Sequence, residues 1–187
     1  MRGARREQVL DAAIEVLGTE GVRGLTHRAA DAAAGLPAGS ASNYFRTRQA
    51  LLEAIVGHLV MKDQQDWEAM ARLAEPDDVE ALARALADYV AYATGPARGR
   101  TVARLALFLE AAVREELRPV LMASRAAIIR WGSVRLQRLG STTPEVDSRR
   151  VLDYLEGLIL HQLAFPGPSF DPTVDLRRIL AATVTAA

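Results

Sequence analysis

Between Ser40 and Arg48 the chain reads SASNYFRTR, which gathers three hydroxyls, a carboxamide, a phenol and two guanidiniums within nine residues. Hydrogen-bonding groups on short stems, followed at once by permanent cations, suit a polyanion with patterned edges. Ser40, Ser42 and Asn43 are the right type and size to meet base edges in the major groove of a duplex. Tyr44, Arg46 and Arg48, joined by Thr26 and Arg28 upstream, can hold phosphate oxygens. Composition alone also fits a Ser/Gly-rich loop between core helices. The order of signals in the flanking residues favours the first reading.

The elements that must position this run lie just ahead of it. Thr26 precedes eight residues without Gly or Pro, so its hydroxyl can cap a helix from about His27 to Ala34. Ala29, Ala30, Ala33 and Ala34 lie on it at helical spacing and add little bulk, which lets another helix approach closely. Gly35 stands where a left-handed residue ends a helix, and Pro37 has the fixed φ that suits the start of the next. That second helix, about Ala38 to Tyr44, is poor in propensity and offers too little apolar surface to be core. Two short helices joined by a tight Gly turn form a helix-turn-helix pattern. A first amphipathic helix, Arg5 to Thr19, carries Val9, Ala12, Ala13, Val16 and Leu17 and ends at Gly21. Arg2, Arg5 and Arg6 read either as a basic arm toward phosphates or the minor groove, or as a solvated tail.

From about Arg5 to Leu59 these residues resemble the DNA-binding domain of the TetR family of bacterial transcriptional repressors. The matching signals are the opening helix ending in Gly21, the run THRAADAAAG, and the phenylalanine and basic residue of FRTRQALL. Family members often have an aromatic where this chain has Ser42, and commonly a lysine where it has Arg48. The resemblance implies a repressor that leaves its operator when a small-molecule effector binds, and it implies an inducer pocket in the C-terminal part.

The remainder reads as helices throughout. Thr47 can cap a long fourth helix, from Arg48 to about Leu73, with Leu51, Leu52, Ile55, Val56, Leu59 and Val60 as its stripe. Pro76, Asp77 and Asp78 mark a break, and Asp77 with Glu80 reads as a capping box for a helix reaching about Thr94. A loop, Gly95 to Gly99, leads to a helix from about Thr101 to Arg114 that is apolar on most sides and is expected to be buried. Leu117 to Leu139 follows; Thr143 is expected to cap a helix begun by Pro144, and Asp171 and Pro172 open the last one, Thr173 to Thr185. The expected architecture is all-α. An N-terminal three-helix helix-turn-helix domain spans residues 1–47, and a helical bundle for effector binding and dimerisation spans residues 48–187.

Trp67, Tyr89, Tyr92, Phe108, Met122, Trp131, His161 and Phe165 all fall on these body helices and are the candidates for an effector pocket, each of them equally a candidate for plain core. Surplus apolar positions on the last two helices, Leu155, Leu158, Ile159, Leu163 and Ile179, suggest a homodimer closed as a four-helix bundle, unless both helices simply cover the core. A dimer would set two short recognition helices about 34 Å apart, as a palindromic site requires.

Composition narrows the alternatives. There is no Cys, so neither disulfides nor thiolate metal sites are available, which is compatible with a reducing cytoplasm. No run of eighteen apolar residues occurs, so no membrane span is expected and the protein is expected to be cytoplasmic. Net charge is zero, but residues 1–48 hold seven Arg against five acids, while 49–187 hold sixteen basic and eighteen acidic residues. That asymmetry permits a DNA-binding head on a neutral body. His27, His58 and His161 lie far apart with no second ligand at helical spacing, and Glu115 and Glu116 are adjacent and diverge on a helix. No metal, cofactor or catalytic set is expected. The alternatives are a helical protein-binding module without DNA function and, third, a small-molecule carrier or enzyme.

Overall fold

A computed structural model describes residues 2–73, 78–167 and 169–184. Nine α-helices account for the regular structure among these: α1 (Arg2–Gly24), α2 (His27–Ala33), α3 (Ser40–Tyr44), α4 (Arg48–Leu73), α5 (Val79–Thr94), α6 (Arg98–Val113), α7 (Arg118–Arg138), α8 (Pro144–Ala164) and α9 (Thr173–Val184). A 3-10 turn, Glu115–Leu117, precedes α7. The all-α class expected from the periodicities holds.

By compactness the chain forms two units. One unit comprises Met1–Asp63 with Ala97–Met122, the other Gln64–Pro96 with Ala123–Ala187. The reason in the first unit is α6, whose Ala103, Leu107 and Ala111 join Val9, Ala13, Leu17, Leu52 and Ile55 in one core. Gly18 of α1 permits this, because a Cβ there would stand 2.4 Å from the carbonyl oxygen of Gly99 on α6. Polar ties reinforce the same core. Asp63 of α4 is buried and receives Arg104 of α6 at 3.2 Å. Asp11 of α1 accepts from His58 Nε2 and from Lys62 Nζ, both at 2.9 Å. Burial pushes the Asp11 carboxyl up, but the bonds from Lys62 and His58 outweigh it and hold the group below its ordinary value.

Helix α1 begins at Arg2, so Arg5 and Arg6 are exposed helical residues and not an arm preceding the helix. The break expected at Gly21 is present as a kink (φ 69°, ψ −175°), beyond which the chain turns helical again to Gly24. Helix α6 starts at Arg98, within the expected loop, and is not buried on most sides: Leu109 and Val113 are 76% and 78% exposed. Only Ala29 and Ala30 of the alanine-rich helix face the core, whereas Ala33 is exposed.

In the second unit α5 packs against α8 and α9. Leu82, Leu86 and Val90 of α5 are buried there, as are Val151, Leu155 and Ile159 of α8 and Leu176 and Leu180 of α9. The α5 cap is Asp78, which accepts from the Ala81 N–H at 2.7 Å; Asp77, the expected cap, and Pro76 lie outside the described residues. Thr143 sits at the start of α8 without capping it by its side chain. Its hydroxyl donates to buried Asp147 at 3.0 Å, alongside Ser141 at 2.6 Å and Arg150 at 3.0 Å. The Asp147 carboxyl loses solvation on burial, yet these three partners hold it below its ordinary value. Asp171 accepts from the Thr173 N–H at 2.9 Å, as expected for the start of α9, and Thr185 lies outside the described residues.

Candidate functional site

Helix α3 is five residues long, too short to hold its shape unaided, because the first turn of a helix fixes several dihedrals for one hydrogen bond. The structure supplies the missing support from α2. Asp31, 2% exposed, accepts from the Gly39 N–H at 2.8 Å and from the Ala41 N–H at 2.6 Å, which occupies two of the unpaired donors at the α3 N-terminus. At the other end His27 Nε2 lies 2.6 Å from the Phe45 carbonyl oxygen; since that oxygen only accepts, Nε2 carries the proton. Thr26 caps α2 as expected, accepting from the Ala29 N–H at 3.0 Å. Gly35 has φ 63° and Gly39 φ 91°, so both turn residues occupy the left-handed region that side chains with a Cβ avoid. Pro37 does not begin the second helix; it lies in the turn, where its carbonyl accepts from Ser40.

Ala41 and Phe45 point into the core, which fixes the roll of α3 and leaves its other face outward. The three expected base-reading residues differ in what they present. Ser40 Oγ donates to the Pro37 carbonyl at 2.5 Å and Ser42 Oγ to the Gly39 carbonyl at 2.8 Å, so each hydroxyl is left chiefly with acceptor capacity. Asn43 is exposed, and no described residue engages its carboxamide.

Of the expected phosphate set, Arg28 and Arg46 are exposed and unpaired among the described residues. The Thr26 hydroxyl is committed to its cap, and Tyr44 is half-buried against the core. Arg48 departs from expectation. Its Nη2 donates to the Val22 carbonyl at 2.5 Å and its Nε reaches the Leu25 carbonyl at 3.4 Å, which ties the start of α4 to the segment leading into α2. A guanidinium so engaged orders the head from within, because carbonyls at a chain turn lack helical partners of their own. Arg6, expected in a basic arm or a solvated tail, lies over the buried Phe45 ring, 5.1 Å from its centroid. Asp31 and His27 were missed as positioning residues. Their sole sequence signal is a carboxylate and an imidazole inside an alanine-rich helix.

The eight effector candidates do not form one group. Trp67, Tyr89 and Trp131 come together in the second unit, with Trp67 4.4 Å from Tyr89 and 5.3 Å from Trp131 between ring centroids. Trp67 and Trp131 line a cleft of about 30 Å³ walled by α5, α7, α8 and α9. Tyr92 and Met122 are exposed, Phe108 belongs to the other compact unit, and His161 packs edge-on against the exposed Phe165 at 6.1 Å. The expected dimer set divides likewise. Leu155, Ile159 and Leu163 are buried within the single chain and so are turned away from any second copy, because the α8 stripe that satisfies helical periodicity is the one facing α5. Leu158 and Ile179 are half-buried, and Leu160 is the exposed leucine of α8.

No curated protein matches the chain. Among solved structures, the multidrug binding protein EbrR complexed with ethidium is 29% identical, with 96% of this chain and 98% of that one covered and a TM-score of 0.70. A member of the TetR family from Streptomyces coelicolor A3 is 26% identical, with the same coverage and a TM-score of 0.74. A TetR-family transcriptional regulator from Rhodococcus sp. shares the fold at 20% identity and a TM-score of 0.77, covering 98% of this chain and all of that one. The family model for bacterial regulatory proteins of the tetR family matches residues 9–55, the stretch that builds and holds α3. A second model, the tetracyclin repressor-like C-terminal domain, matches residues 77–186. A helix-turn-helix clamped for presentation, followed by a matched body spanning more than half of the sequence, makes this protein a DNA-binding transcriptional regulator of the TetR family.

Proposed function

We propose that the protein is a homodimeric repressor that holds a palindromic operator in its free state and leaves it when a small molecule enters the second unit. The observation that carries this reading is the state of α3, which is tied at both ends by Asp31 and His27 while Asn43, Arg28 and Arg46 stay exposed and uncommitted. A presented, preorganised short helix flanked by free cations is what a major groove receives. Residues 1–47 are the DNA-reading part, and residues 48–187 respond to the effector and pair the protomers. Pairing uses the outward residues of α8 and α9, with Leu158, Leu160 and Ile179 among the apolar ones. That EbrR, a relative at 29% identity, is described as multidrug binding supports a small organic molecule as the effector. The effector acts only if it prefers the released conformation, since equal affinity for both shifts nothing.

Selection of bound duplexes from a random DNA pool by the full chain tests the reading. A two-fold symmetric consensus is expected, with affinity falling steeply as salt rises. Asn43→Ala relaxes the preference at one position per half-site by about 1–3 kcal/mol. A pool that returns no symmetric sequence, with a flat salt profile, removes the operator reading.

A further inference from the structure

The chain has two tryptophans, and both line the cleft of the second unit. Each is unsatisfied: the indole N–H of Trp67 and that of Trp131 are buried and meet no acceptor among the described residues. Two stranded donors against one cleft cost stability unless an occupant supplies acceptors. An aromatic wall of this kind usually draws cations to its ring faces. Here that position is filled, because the Arg135 guanidinium lies 3.7 Å from the Trp131 ring centroid and its Nη1 donates to the Trp131 carbonyl at 3.1 Å. The described lining contains no carboxylate; apart from Arg135 and Ser148 it is apolar or aromatic. The Ser148 hydroxyl already donates to the Ile129 carbonyl at 2.8 Å.

We propose that this cleft takes an apolar molecule bearing a hydrogen-bond-accepting head, a carboxylate or a carbonyl, received by the N–H groups of Trp67 and Trp131, and that it rejects organic cations. The inference rests on the effector reading given above and specifies its ligand class. The open volume of about 30 Å³ holds roughly two water-sized groups, enough for the two oxygens of a carboxylate. The apolar remainder of the ligand enters by parting the leucine side chains around it. The cation is disfavoured twice, by the guanidinium already stacked on Trp131 and by the lack of an acidic partner.

Phenylacetate and 2-phenylethylammonium share a ring and carry opposite heads, so titrating the full-length protein with each isolates the head group. Tryptophan emission reports the cleft directly, and calorimetry gives the affinity. The acid is expected to bind saturably and about tenfold or more tighter than the amine. Trp67→Phe and Trp131→Phe keep an aromatic ring and lose the N–H, and each is expected to weaken the acid about five- to tenfold. The acid-to-amine comparison on the unaltered protein holds even if a variant folds poorly. Equal or tighter binding of the amine, no saturable binding of the acid, or undiminished affinity in both variants overturns the proposal. Duplex binding followed in the same samples separates the two claims. If the acid binds as described and the protein stays on DNA, the ligand class stands and effector release falls; if only the amine binds and DNA is released, the class falls and effector release stands.

Discussion

The Asp31 carboxylate on α2 accepts the Ala41 N–H of α3 at 2.6 Å from a position almost wholly shielded from solvent. With the matching bond from Gly39, it makes one side chain responsible for where the recognition helix begins. Asp31→Asn keeps the shape and turns one acceptor oxygen into a donor facing an N–H. The expected result is a loss of about 1–3 kcal/mol in affinity for every duplex alike, with helicity by circular dichroism nearly unchanged, since α3 is only five residues. Undiminished duplex binding by this variant would show that α3 is held by its packing alone.

The arginines near α3 should separate into two classes. Arg28→Ala and Arg46→Ala remove exposed, unpaired cations, so each is expected to lower the slope of log affinity against log salt by about one, at unchanged melting temperature. Arg48→Ala instead strands the Val22 and Leu25 carbonyls. It should destabilise the fold by about 1–3 kcal/mol in denaturant titration. A salt slope that responds to Arg48 as strongly as to Arg46, with stability intact, would return Arg48 to the phosphate set.

Gly18 sets how closely α1 and α6 approach, since an added Cβ would meet the Gly99 carbonyl oxygen at 2.4 Å. A backbone oxygen cannot swing aside as a side chain does. Gly18→Ala is therefore expected to cost about 1–3 kcal/mol as overpacking, against the gain in helix propensity that alanine normally brings. Urea unfolding decides it: a more stable variant would mean that the two helices separate without penalty.

Acid should act on α8 through Asp147. Its carboxyl is buried, and the bonds from Ser141, Thr143 and Arg150 hold it below the ordinary value of 3.8. A depressed folded-state value means that the charged form is favoured by folding. Its contribution is thus complete above pH 3.8 and is lost as pH falls through the lowered value. Asp147→Asn is expected to lower the melting temperature at neutral pH and to flatten the decline in stability below pH 3.8. An unaltered acid limb in the variant would assign that limb to other carboxylates.

What could be read from the linear chain and what could not divide along a physical line. Helix starts and stops depend on neighbours a few residues apart, and so Thr26, Gly35 and Thr47 announced their roles: the two hydroxyls cap α2 and α4, and Gly35 is left-handed. The stripe of Leu51, Leu52, Ile55 and Val56 was legible for the same reason, and all four are buried. Periodicity does not say which of two apolar faces meets the chain's own core, and so Leu155 and Ile159 turned inward while Leu109, Val113 and Leu160 were left outside. Nor does it report hydrogen bonds between separate helices. The order of caps, glycines, small polar residues and arginines was enough for an all-helical chain with a helix-turn-helix at its head. Folding in three dimensions alone made Asp31 and His27 the clamps of α3, drew Arg48 inward and set Trp67 beside Trp131. Each of those relationships joins residues from different elements, and only packing fixes the distance between them.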